Sequence, residues 1–146
     1  MVAQDCARAY RSNSVMTASP GQLVLMMYDG ALKALGQARE AFNRPPDDFR
    51  RIEIINGHLI KAQHIIYELQ DTLNLEAGGE FAATLQRLYD YYNRRLNEAN
   101  LRKQVEPVLE VERLLGELRG AWAEMLRNQD SNLTPVRLGP GARHVA

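Results

Sequence analysis

The chain has a single cysteine, Cys6, in 146 residues. No internal disulfide framework can form, and the composition suits a reducing compartment. A catalytic thiol would want a partnering histidine, and none is marked by spacing, so Cys6 reads as an incidental thiol. Long apolar runs are also missing. Leu23–Tyr28 is the longest, far short of the roughly 20 residues that span a bilayer, and the N-terminus has no apolar core of signal-peptide length. Neither sign of charge dominates, with 18 Lys and Arg against 18 Asp and Glu, so no strong field favours nucleic acid or an anionic membrane. The basic pairs Arg50-Arg51 and Arg94-Arg95 are too few for a nucleic-acid surface and read as a solvated face with local ion pairs. A cytoplasmic protein without membrane or nucleic-acid partners is expected.

Catalytic and metal signatures are equally scarce. His58 and His64 lie about 600° apart around a helix and cannot converge. There is no His-Glu-x-x-His, nor the Glu-x-x-His of bundle di-iron sites. Asp90 and Glu98 are about 12 Å apart along a helix axis, too far for paired carboxylate chemistry. Gly78-Gly79 is a turn rather than a phosphate loop. No enzyme activity, metal or cofactor is expected.

What the chain does have is helical spacing. Ser19-Pro20-Gly21-Gln22 reads as a capping box with proline in the first turn. Val24, Tyr28, Ala31, Leu35, Ala38 and Phe42 follow on one face, and Pro45-Pro46 ends the helix. Asp47 or Asp48 is the expected cap of a second helix with the seam Ile52, Ile55, Leu59, Ala62, Ile66, Leu69 and Leu73. Residues 74–79 read as a turn. A third helix is expected over about Glu80–Arg102 with the stripe Phe81, Leu85, Leu88, Tyr92, Leu96 and Ala99. A fourth, after Pro107, carries Val108, Val111, Leu115, Leu118, Trp122 and Met125.

Short connections make sequential helices antiparallel. The expected fold is all-α, an antiparallel up-and-down four-helix bundle over 18–128. An N-terminal segment, 1–17, holds a short helix at Ala3–Arg11, and 129–146, with its Pro, Gly and polar residues, is expected to be a mobile tail.

The bundle has more apolar surface than one seam per helix requires. Met26, Met27, Ile54, Ile65, Tyr89, Tyr91 and Leu114 lie off the seams. Part of this surplus widens the core. The rest is expected to form grooves, which methionine makes adaptable and which mark a partner site. Two Tyr-Asp pairs stand out, Tyr28-Asp29 and Tyr89-Asp90, the second in Leu88-Tyr89-Asp90-Tyr91-Tyr92. Tyrosine's apolar face and polar tip suit a surface that receives another chain. A binding protein is the leading reading. The alternatives are a homo-oligomeric helical adaptor and, behind it, a small bundle metalloprotein.

Ser19-Pro20-x-Gln22-Leu23 with Met27-Tyr28-Asp29-Gly30-Ala31 resembles the first helix of the flagellin-specific export chaperones, the FliS family. Gly78-Gly79-Glu80, Leu88-Tyr89-Asp90-Tyr91, Arg94-Arg95-Leu96 and Ala99-Asn100 resemble the third. Glu110-Val111-Glu112, Leu114-Leu115 and Ala121-Trp122 resemble the fourth, and Ala9-Tyr10 resembles the family's N-terminal tyrosine. Ala7 and Tyr92 depart from the family, which often carries a larger aliphatic residue and a methionine there. The resemblance implies a cytoplasmic chaperone that binds the C-terminal segment of flagellin. Such a chaperone prevents premature polymerisation and supports flagellar type III secretion. The expected partner-binding residues are Tyr10, Met26, Met27, Ile54, Ile65, Leu88, Tyr89, Tyr92 and Leu96. Export-apparatus components are a further partner class, and the free protein is expected as a monomer or weak homodimer.

Overall fold

The computed structural model describes residues 19–138, with side chains to residue 130. Tyr10, Cys6 and the expected helix Ala3–Arg11 lie outside the described residues. Four helices run α1 (Pro20–Phe42), α2 (Arg51–Asp71), α3 (Leu75–Arg102) and α4 (Glu106–Leu138). No strand occurs among the described residues. The fold is an all-α four-helix bundle, as the spacing predicts.

Helix α1 starts where its capping box places it. The Gln22 amide donates to Ser19 Oγ at 3.2 Å, and the Ser19 amide donates to Gln22 Oε1 at 3.3 Å. This reciprocal pair satisfies donors that an open helix end leaves without partners. The start of α2 differs from expectation. Its N-cap is Arg50, with no side-chain cap. Asp48 lies two residues earlier, its Oδ1 accepting from the Arg50 amide at 2.9 Å while its Oδ2 takes Arg44 Nε at 2.8 Å. The aspartate closes the turn rather than the helix, an alternative that short polar side chains offer wherever a turn precedes a helix.

The expected turn at 74–79 is half helix. Asn74 caps α3 early, accepting from the Ala77 amide at 3.0 Å. The helix then breaks at Gly79, whose φ of 55° and ψ of −134° interrupt the helical run. That sign of φ favours glycine. At the other boundary, α4 extends to Leu138. The limit that composition sets at residue 129 therefore falls inside a helix.

Residues Met27–Arg119 form one compact unit. Its helices run antiparallel, as the ties between them show. Asn56, Gln63 and Gln70 of α2 meet Asn100, Asn93 and Asp90 of α3 in reverse order. Asp29 and Arg39 of α1 meet Arg119 and Glu112 of α4. The core contains Tyr28, Leu35, Ile55, Leu59, Ile66, Leu69, Tyr89, Leu96, Val108, Val111 and Leu115, all fully buried. Among the described residues, the second unit joins 19–26 to 120–138. There Trp122 is half-buried, its indole N–H donating to the Gly21 carbonyl at 2.9 Å. A Cβ on Gly21 would meet Leu126 Cδ2 at 2.6 Å, so the absence of a side chain permits this close approach.

Candidate functional site

Both Tyr-Asp pairs hold the bundle together rather than facing outward as a receiving surface. Each tyrosine turns into the core, and the hydroxyls of Tyr28 and Tyr89 lie 2.6 Å apart. Each aspartate turns outward to a neighbouring helix. Asp29 takes Arg119 of α4 at 2.8 Å and 3.3 Å, and Asp90 takes Gln70 of α2 at 2.7 Å. Burial pushes both phenols above the usual tyrosine range. Tyr92, edge-on to Tyr89 with ring centroids 6.3 Å apart, is pushed up to about 12 by its burial.

Helix α4 answers with two glutamates. Glu110 accepts from Tyr91 Oη and from Arg95 Nε of α3, each at 2.6 Å. Those bonds, the tyrosine's first, hold its carboxyl below the usual range. Glu112 accepts from Arg39 of α1 at 2.9 Å and 3.2 Å. Arg95 also reaches Glu98 of its own helix at 2.7 Å, the local ion pair expected of this basic pair, while its bond to Glu110 adds a tie to α4.

Several expected site residues are therefore core. Tyr89, Tyr92 and Leu96 are buried, which corrects the reading of Tyr89 as a partly exposed groove residue. The phase of α3 explains the difference. Its buried face runs through Ala82, Leu85, Tyr89, Tyr92, Asn93, Leu96 and Ala99. Phe81 is 62% exposed and Leu88 only half-buried. Small Ala82, not large Phe81, shares the inward face with Tyr89, whose hydroxyl meets that of Tyr28. Met26 is exposed and Met27 half-buried. Ile54 and Ile65 are half-buried on the α1-facing side of α2. Ile65 Cδ1 lies against Gly30, and Ile54 lines a recess of about 300 Å³ with Gln37, Glu40, Ala41, Arg44 and His58.

A second recess, about 320 Å³, lies between α2 and α3 and is lined by Gln63, Tyr67, Asp90, Asn93, Arg94 and Asn97. Gln63 Nε2 bridges it, donating to the Asn93 carbonyl at 3.3 Å. Apolar side chains stand open along its helices: Ile60 is 40% exposed, Tyr67 52% and Leu101 78%. None of these three is among the expected site residues. Ile52, Ile60 and Tyr67, spaced eight and seven apart on one face of α2, were the available signal. Among the described residues no cluster of His, Cys, Asp and Glu could hold a metal, and no helix is long and apolar enough to cross a membrane.

Helices tied by side-chain clasps, with open apolar side chains beside polar recesses, define an all-α bundle protein. The model of the family described as Flagellar protein FliS matches residues 3–129, and the chain belongs to that family, a family of chaperones rather than enzymes. The flagellar secretion chaperone FliS of Bacillus subtilis (strain 168) is 40% identical over 129 residues, covering 88% of this chain and 92% of that protein. FliS of Salmonella typhimurium is 42% identical over 114 residues, with 77% and 81% covered. FliSB of Pseudomonas aeruginosa, also named a flagellar secretion chaperone, is 36% identical over 126 residues, with 84% and 96% covered.

Proposed function

We propose that this protein is a cytoplasmic flagellar secretion chaperone that binds the C-terminal segment of flagellin. Binding withholds that segment from polymerisation until flagellin is exported through the flagellar type III machinery. The observation that carries the reading is the open apolar surface of α2 and α3, where Tyr67 lines the recess between them and Ile60 and Leu101 are exposed along the same two helices. The disordered end of a polymerising protein is amphipathic, and its capture takes many modest apolar contacts. Each buried Leu or Ile contributes about 1.5–3 kcal/mol before ordering costs. Ordering the guest offsets much of that gain and leaves a complex that can be released at the export gate.

Met26, Met27, Ile54, Ile65 and Leu88, exposed or half-buried, supply further apolar surface for a guest that wraps the helices. Tyr89, Tyr92 and Leu96, being core, shape the grooves from beneath. Tyr10 is proposed as a shared contact with the guest, so Tyr10→Ala weakens binding. Were Tyr10 a lid instead, the same change would tighten it.

Calorimetric titration with a C-terminal flagellin peptide tests the function. The expected result is a one-to-one complex, together with suppressed filament growth when the protein is added to monomeric flagellin. No heat of binding and unaltered polymerisation would sink the reading. The adaptor alternative then gains support if light scattering gives the same homo-oligomer with and without flagellin.

A further inference from the structure

Helix α4 is not equally anchored along its length. Among the described side chains, every buried one lies between Tyr28 and Leu115. The inter-helix ion pairs Arg39–Glu112, Arg95–Glu110 and Arg119–Asp29 likewise fall within Met27–Arg119. In the second unit the apolar residues Leu23, Val24, Leu25, Trp122, Met125 and Leu126 are half-buried. Their packing includes Gly21, whose carbonyl takes the Trp122 indole at 2.9 Å and against which Leu126 lies.

Two glycines stand where the deep anchoring ends. Gly116 and Gly120 are one turn apart on one face of α4, and the second unit takes up α4 at Gly120. Neither position needs glycine for space, since an added Cβ would meet nothing within 4 Å. Gly21 differs, for a Cβ there would strike Leu126. Glycine weakens a helix interior because it loses the most backbone entropy on folding. With no close approach to permit, the pair supplies a weak point in the helix.

We propose that the α4 stretch from Gly120 is a strap, which releases from the first turns of α1 by opening at Gly116–Gly120 while Met27–Arg119 stays folded. Proteins open sub-globally where buried contacts are few, and the buried core lies outside the strap. Release takes Trp122 and Leu126 off Gly21 and bares apolar surface of the kind that interaction sites use, without unfolding the bundle. The proposal stands independently of the chaperone reading.

Trp122 is the one tryptophan of the chain, so its fluorescence reads the strap while far-UV circular dichroism reads all four helices. In urea, the emission of the full-length protein is expected to shift to the red before the helical signal is lost. Native-state hydrogen exchange should show the amides of residues 122–126 opening about tenfold or more as often as those of Val111 and Leu115. Replacing both glycines, Gly116→Ala with Gly120→Ala, should raise protection at 122–126 about twentyfold, from about fivefold for each glycine removed. The same change should bring the two urea curves together. Gly57→Ala is the control: it strengthens α2 at another unobstructed site and should leave protection at 122–126 unchanged. Coincident urea curves in the wild type, with 122–126 as protected as Val111 and Leu115, overturn the proposal. Protection that the paired alanines do not move also overturns it, because α4 would then be fraying from its far end. Protection that Gly57→Ala raises equally does the same, because these amides would open only with the whole molecule.

Discussion

The hydroxyls of Tyr28 on α1 and Tyr89 on α3 meet at 2.6 Å inside the bundle. They join helices whose tyrosines are 61 residues apart in the chain. The bond fixes the rotation of both helices, because each tyrosine carries an aspartate that must then point outward. Asp29 and Asp90 do so, toward Arg119 and Gln70. A double-mutant cycle of Tyr28→Phe and Tyr89→Phe, followed by urea denaturation, is expected to give a coupling energy of about 1 kcal/mol. Additive effects would show that the pair only fills space. Tyr89→Glu is expected to lose several kcal/mol of stability by burying a charge in this core. A variant that melts like the wild type would contradict the assigned burial.

The same burial sets an alkaline limit. Desolvation raises the folded-state values of Tyr28, Tyr89 and Tyr92 above that of a free phenol, while in the unfolded chain they titrate near ~10. Above that pH the unfolded state gives up protons that the fold retains. Stability is therefore whole below about pH 10 and falls as pH rises toward the folded values. Urea midpoints measured from neutral to strongly alkaline pH should decline more shallowly in the double Tyr→Phe variant. Parallel curves would show that these phenols are not responsible for the alkaline loss.

Open groove residues should behave oppositely to the tyrosine pair. Tyr67→Glu replaces a side chain that is half in water, so folding is expected to change by no more than about 0.5 kcal/mol. Flagellin binding should weaken about tenfold or more, as the loss of an aromatic anchor commonly does. Ile54→Asp probes the α1–α2 recess in the same way. If only Ile54→Asp weakens binding, the guest lies on that side of α2.

Much of this was legible in the chain because local signals and global packing agree. Ser19 and Gln22 form the expected capping box, and Ile55, Leu59, Ala62, Ile66 and Leu69 fill the core as their spacing implies. The phase of α3 was harder to read. Hydrophobicity ranks Phe81 above Ala82 and leaves Asn93 outside, whereas the bundle buries Ala82 and Asn93 and exposes Phe81. Periodicity fixes the spacing of a stripe but not which of two adjacent stripes faces in. Packing between helices, including the Tyr28–Tyr89 contact, settles that choice, and spacing within one helix cannot reveal it. The α2–α3 recess escaped notice because the open side chains Ile60 and Tyr67 lie on the mostly polar face of α2.

Two glycines give a matched test of backbone control. Neither Gly57 nor Gly79 would bring an added Cβ within 4 Å of another group, so space does not distinguish them. Gly57 lies within α2, where glycine is the weaker helix former. Gly57→Ala is expected to stabilise the protein by about 0.5–1 kcal/mol. Gly79 holds φ at 55° where α3 breaks, a conformation that strains any residue with a Cβ. Gly79→Ala is expected to destabilise by about 1–3 kcal/mol. Urea denaturation of the two variants should thus move the midpoint in opposite directions. A Gly79→Ala variant as stable as the wild type would mean that α3 can run unbroken from Leu75, and that the kink is a preference of the surrounding chain rather than of glycine.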